Sequence, residues 1–168
     1  LSNKDVVVGL AASGRTPYVI GALDYATQVG AVTVSVSCNK NAEMSKHAQI
    51  AIEVDNGPEV LTGSTRLKAG TSQKLILNML STASMVGIGK VFGNLMVDVK
   101  ATNLKLVERS KRIIMMATEC DYETAEKYYA LSDNYPKAAI VMILTGCSKE
   151  DALKRLDNSE GFVRQAVK

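Results

Sequence analysis

The stretch DVVVGLAASGRTPYVIGALDYATQVGAVTVSVS, residues 5–37, decides how this chain is read. Asp5 to Leu10 is a β-branched, apolar run, the pattern of a strand buried on both faces of a sheet. Thr16 to Val29 carries Val19, Ile20, Leu23, Ala26 and Val29 at close to a 3.6-residue period, so it reads as an amphipathic helix. Pro17 suits the first turn, where a missing N–H leaves no bond unmade, and Gly30 ends the helix. Ala31 to Ser37 is a second strand. A strand, a helix and a strand at this spacing make a βαβ unit, and so a parallel sheet in an α/β fold.

Beyond this unit, Ala42 to Ala48 reads as a short polar helix and Ile50 to Val54 as a third strand. A loop with Gly57, Pro58 and Gly63 leads into a long segment. Its apolar residues Leu75, Ile76, Met79, Leu80, Ala83, Met85 and Val86 cover more than one helical face, which predicts a helix covered on most sides by the sheet or by a second subunit. Val91 to Val99 is a connector or short strand. From Ala101 only short helices follow: Asn103 to Ala117, one capped by Asp121 and running to Leu131, Tyr135 to Leu144, and one opened by Ser148 and ending near Leu156. The expected division is an α/β domain over residues 1–104 and a small helical domain over 105–168.

The 168 residues are 46% hydrophobic, enough for one compact core or an α/β domain with a small appendage. A net charge of +3, scattered along the chain, with 5% aromatic residues argues against a nucleic-acid partner, which calls for clustered charge interleaved with aromatics. No run approaches roughly 18 apolar residues, so no membrane span is expected. Cys38, Cys120 and Cys147 are odd in number and far apart, and His47 is the only histidine. That pattern favours neither zinc nor a disulfide framework and fits a reducing cytoplasm. Leu1 stands where an initiator methionine is expected, which reads as a chain beginning in mid-protein.

The loop GLAASGRTP, residues 9–17, holds the chemistry. The Ser13 and Thr16 hydroxyls and the loop N–H groups can converge on the start of a helix, where unpaired donors and the helix dipole favour a phosphate. Ala11, Ala12 and Gly14 are small enough to let backbone approach a ligand. Three readings fit. Gly9-x4-Gly14-Arg15-Thr16 is one residue from a P-loop, with arginine where a lysine point charge is required, and Glu53 or Asp55 is a weak match to a Walker-B acid. An ordinary strand–turn–helix with Ser13 as a cap needs no ligand. The third is a sugar-phosphate loop.

SGRTP after an apolar strand resembles the Ser-x-Ser-Gly-Glu-Thr phosphate loop of sugar isomerase (SIS) domains, with Ala11 at the first serine and Arg15 at the glutamate. Longer runs narrow the resemblance: DVVVGLAASGRTPYVIGALDYA, EVLTGSTRLKAGTSQKLILNMLSTASM, GKVFGNLMVDVKATN, AIVMILTG and GFVRQAV, in that order, are similar to the N-acetylmuramic acid 6-phosphate etherases, whose architecture the glucokinase regulatory proteins share. The resemblance implies the C-terminal part of such a protein. The implied fold is a three-layer parallel sheet of SIS type, present in part, followed by a small all-helical bundle shaped like a ubiquitin-associated (UBA) domain. The implied activity is a carbon–oxygen lyase that cleaves the D-lactyl ether to N-acetylglucosamine 6-phosphate and D-lactate, without metal or organic cofactor. A homodimer is implied, with the helical bundle as a lid or a dimer contact. The alternative from the same resemblance is a non-catalytic sugar-phosphate sensor.

Such a reaction needs a base for the C2 proton and an acid for the departing lactate oxygen, roles that suit carboxylates of raised pKa. The family's glutamates lie in the half that precedes DVVVG, beside a GTSGR loop absent here, so no catalytic residue is expected in this chain. Phosphate binding is assigned to Ser13, Gly14 and Thr16, with Ala12, Arg15, Glu59, Ser64 and Lys68 as further candidates around the sugar. Thr62, Ser64 and Thr65 read equally as helix caps, Glu59 as a cap or a sugar contact, and Arg66 and Lys68 as a solvated basic face. Asp24 is expected in solvent, His47 on a helix surface, and Met115 and Met116 in the core.

Overall fold

Strands β1 (Val6–Ala11), β2 (Val32–Ser37) and β3 (Ile50–Glu53) lie side by side in sequence order, all parallel, with Val6 opposite Val32 and Val34 opposite Ile50. The computed structural model describes Leu1–Lys168 as two compact units, Leu1–Leu80 and Ser81–Lys168. In the first, helix α1 (Pro17–Val29) connects β1 to β2 and packs on both. Gly9 permits this: a Cβ there would lie 2.7 Å from Val19 Cγ1 and 3.2 Å from Leu23, so a side chain would push the helix off the strand. Leu23 and Ala26 are fully buried beneath it.

Strand alternation gives the sheet two unlike faces. Gly9 and Ala11 share the α1 side with their register partners Ser35 and Ser37. The opposite side carries Val6, Val8, Leu10, Val32, Val34, Val36, Ile50 and Ile52. Only the later part of the central strand is sealed there: Val34 and Val36 are buried, whereas Val32 is exposed and Val6 is 60% and Ile50 51% exposed. The expectation that β1 is buried on both faces is therefore corrected. β1 and β3 are the outer strands of a three-stranded sheet, and a flanking strand on one side alone leaves this face open.

A 3₁₀ turn, Glu43–His47, follows β2, and its Met44 is buried with Ala11, Leu23 and Ala42. Asp24 does not stand free in solvent as expected; its carboxylate lies 2.7 Å from His47 Nδ1 and ties α1 to this turn. Helix α2 (Lys68–Gly87) has 20 residues, of which only Ala69 and Ile76 are buried; Leu75, Met79, Met85 and Val86 are exposed. A helix about 30 Å long outreaches strands of four to six residues, so the sheet does not supply the expected cover.

In the second unit the segment expected as a connector or short strand is a hairpin of β4 (Val91–Phe92) and β5 (Leu95–Met96). Five helices follow: α3 (Leu104–Thr118), α4 (Tyr122–Leu131), α5 (Pro136–Thr145), α6 (Lys149–Asn158) and α7 (Val163–Ala166). Three of them start at side-chain caps, with Asn103, Asp121 and Ser148 accepting from the N–H groups of Leu106, Thr124 and Asp151. The central α5 is apolar on every side, and α3, α4, α6 and α7 pack around it, burying Ile114, Ile140, Val141, Leu156 and Val163. Lys111 pins α3 to α4 by donating to Glu126 at 2.6 Å and Tyr122 at 3.0 Å, and the bond to Glu126, first, holds its ammonium above the ordinary lysine range. Met115 joins the core, but Met116 is 61% exposed, which corrects its assignment: each step along a helix turns the side chain by about 100°, and here that step carries Met116 out of the packed face. No helix is long and apolar enough to cross a membrane.

Candidate functional site

The residues between Ala11 and Pro17 are shaped from within and from the side. Gly14 N–H donates to Ala11 O at 3.0 Å, and Gly14 sits at φ +69. A Cβ on it would come 2.4 Å from the Ala42 Cβ, so only glycine fits both the space and the left-handed backbone. The loop carbonyls turn into the fold: Ala12 O accepts from Cys38 N–H and Asn39 Nδ2, both at 3.0 Å, and Gly14 O from Met44 N–H at 2.9 Å.

The donors are left over. The N–H groups of Ser13, Thr16 and Tyr18 have no acceptor in the protein. Thr16 occupies the N-cap of α1 but its side chain makes no capping bond. Ser13 Oγ lies 3.5 Å from Arg15 N, at the outer limit of a hydrogen bond. Two hydroxyls and several amides at the positive end of a 13-residue helix therefore remain available to an anion.

Beside this loop opens a cleft of about 330 Å³, lined by Ala12, Ser13, Cys38, Asn39, Asn56, Gly57, Glu59, Gly63, Ser64, Thr65 and Ala69. Of the residues singled out from the sequence, the cleft brings together Ala12, Ser13, Glu59, Ser64 and Thr65. Gly14 lies beneath the loop, its amide already paired, and Arg15 and Thr16 are exposed and do not line the cleft. Lys68 does not line it either; its Nζ donates to Pro58 O at 2.8 Å and braces the loop before α2.

Glu59 closes the opposite wall by capping α2, accepting from Ala69 N–H at 3.0 Å and Lys68 N–H at 3.1 Å. These backbone bonds, Ala69's first, hold its carboxyl below the ordinary carboxylate range. An acceptor-only group in that state suits a sugar hydroxyl better than general-acid work.

Cys38, Asn39 and Asn56 line the cleft and were not expected there. Asn56 Oδ1 lies 2.7 Å from Ser72 Oγ, while its Nδ2 is buried without a partner. A signal for them existed: they follow the C-terminal ends of β2 and β3, the edge of a parallel sheet at which ligands bind.

This loop at a strand–helix junction lies within a match to the SIS domain family model over residues 1–83. Residues 1–83 of the chain are thus similar to an SIS domain. Over 99% of its length the chain is 68% identical to N-acetylmuramic acid 6-phosphate etherase 2 of Lactiplantibacillus plantarum, of which it covers 56%. It is 66% identical to the N-acetylmuramic acid 6-phosphate etherase of Bacillus cytotoxicus, covering 57% of that protein. It is likewise 66% identical to N-acetylmuramic acid 6-phosphate etherase 2 of Enterococcus faecalis, covering 56%. The chain thus spans a little over half the length of the curated relatives it matches.

Proposed function

We propose that this chain is the sugar-phosphate-binding part of a lyase that cleaves the D-lactyl ether of N-acetylmuramic acid 6-phosphate, giving N-acetylglucosamine 6-phosphate and D-lactate. The observation that carries the reading is the set of unpaired donors at Ser13, Thr16 and the start of α1, next to a cleft of sugar-like size. Ser13 and Thr16 hold the phosphate, with Gly14 setting the loop's shape and Arg15 an exposed cation in the same loop. Ala12 lets the ligand approach, and Glu59 and Ser64 face the sugar from the other wall, with Lys68 bracing that wall.

The names of the relatives support the substrate. The C2 base and the acid for the lactate oxygen come from outside this chain, because its cleft carboxylate, Glu59, is occupied with the α2 amides. The reading extends to the whole molecule. The open Val6–Ile50 face receives a further layer of the SIS fold, the functional boundary lies near residue 104, and the bundle from α3 onward is UBA-like. The protein acts as a homodimer in a bacterial cytoplasm, in amino-sugar recycling from the cell wall.

The test is titration of the chain with N-acetylmuramic acid 6-phosphate, its unphosphorylated form and inorganic phosphate, repeated with Ser13→Ala. Affinity that depends on the phosphate and drops in the variant supports the reading. Equal affinity for the phosphorylated and unphosphorylated sugars overturns it. A second reading, a non-catalytic sensor, predicts the same binding, with no ether cleavage when the chain is joined to the remaining length of its relatives.

A further inference from the structure

Glu53 ends β3 at the same sheet edge as the anion loop but does not line the cleft. Its carboxylate collects three donors from a single turn: Asn41 N–H at 2.8 Å on Oε2, and Ala42 N–H at 3.0 Å and Ser45 Oγ at 2.6 Å on Oε1. Asn41 is held at φ +54, in the left-handed region that a non-glycine residue enters with strain. A carboxylate that accepts from two consecutive backbone amides and a hydroxyl is the organising centre of that turn.

The same turn grips the anion loop. Met44 N–H donates to Gly14 O, Cys38 N–H and Asn39 Nδ2 donate to Ala12 O, and the Ala42 methyl lies against Gly14. The carbonyls on both sides of Ser13 are therefore anchored to a segment that Glu53 gathers. We propose that Glu53 is a positioning residue for the anion loop: through the 39–45 turn it holds Ser13 and its neighbouring amides in the geometry that receives a phosphate. This rests on the sugar-phosphate reading above and adds a determinant outside the cleft. Preorganising the loop lowers the ordering cost that binding has to meet.

The sign of one substitution separates positioning from simple electrostatics. Glu53→Gln removes a negative charge near an anion site, which by Coulomb attraction alone tightens phosphate binding. It also brings an amide N–H against incoming N–H donors, which loosens the turn. Positioning predicts the second outcome. The experiment is amide hydrogen exchange, read residue by residue, together with calorimetric titration of N-acetylglucosamine 6-phosphate and N-acetylglucosamine.

In Glu53→Gln the Met44 and Cys38 amides exchange faster while the β1–β2 ladder amides do not. Affinity for the phosphorylated sugar falls about tenfold, and that for the unphosphorylated sugar is unchanged. Ser45→Ala, which removes only the shortest bond, moves both readouts in the same direction by less. Unchanged exchange at Met44 and Cys38, tighter phosphate binding, or faster exchange throughout the sheet overturns the proposal. If the unsubstituted chain binds no sugar phosphate, the functional reading fails, and the exchange at Met44 and Cys38 alone decides whether Glu53 governs the loop.

Discussion

At Gly14 two constraints meet in one residue: φ +69 and a methyl group, on Ala42, 2.4 Å from where a Cβ would sit. Gly14→Ala incurs about 1–2 kcal/mol for the left-handed backbone and about 1–3 kcal/mol for overpacking. Chemical denaturation reads the sum. Gly14→Ala combined with Ala42→Gly relieves the overlap and keeps the backbone strain, so it recovers part of the loss, and an unrecovered loss contradicts the clash. Ser13→Ala, at an exposed hydroxyl with only a long contact to Arg15 N, leaves stability within about 0.5 kcal/mol while phosphate affinity falls. The sequence pointed to both hydroxyls and the glycine, because small and hydroxylic residues after an apolar strand suggest an anion loop. That Gly14 acts by shape, its amide already bonded to Ala11 O, was not, because the constraint comes from Ala42, 28 positions away.

Among the elements, α2 and the 39–45 turn each depend on a carboxylate fed by backbone donors. Glu59 is held below the ordinary value of 4.5 by the Ala69 and Lys68 amides. Glu53 is held below 4.5 by the Ser45 hydroxyl and then the Asn41 and Ala42 amides. A carboxyl whose folded pKa is depressed stabilises the fold above its unfolded pKa and loses that contribution as pH falls through the folded value. Thermal melts therefore show stability dropping as pH falls below 4.5, and Glu53→Gln or Glu59→Gln flattens that dependence while lowering stability near neutrality. A variant with the same acid profile as the original chain removes this role. Helix α3 depends on packing instead: Ile114 is fully buried among α3–α7, and Ile114→Ala costs about 2–5 kcal/mol in the denaturation of that unit. The caps at Asp121 and Ser148 and the 3.6 period of α1 were readable locally; the exposure of Met116 beside a half-buried Met115 was not.

For the whole molecule, the notable surface is apolar. Val6, Ile50, Leu75, Met79 and Val86 are all exposed, on a sheet face and on α2, in a chain that spans a little over half the length of its relatives. Exposed apolar surface of this kind favours association. Sedimentation velocity is expected to show concentration-dependent self-association, weakened by Leu75→Lys with Met79→Lys. A strictly monomeric chain over the whole concentration range rejects the proposed dimer. The two compact units meet within α2, between Leu80 and Ser81, whereas the composition change read from the sequence lies near residue 104. Composition registers where strands stop, and compactness registers which residues touch.

What the amino-acid order determined by itself was local and periodic: alternating βαβ units, the Pro17 start of α1, the capped helices after Asn103, and a loop of Ser13, Gly14 and Thr16 suited to an anion. These follow from propensity, spacing and the unpaired groups at a helix end, which act within a few residues. Only the tertiary structure decided that Ala12 and Ser13 share a cleft with Asn39, Asn56 and Glu59, and that Glu53 holds the loop from outside it. Those relations join residues tens of positions apart, brought together by the parallel register of the three strands, and no local preference encodes them.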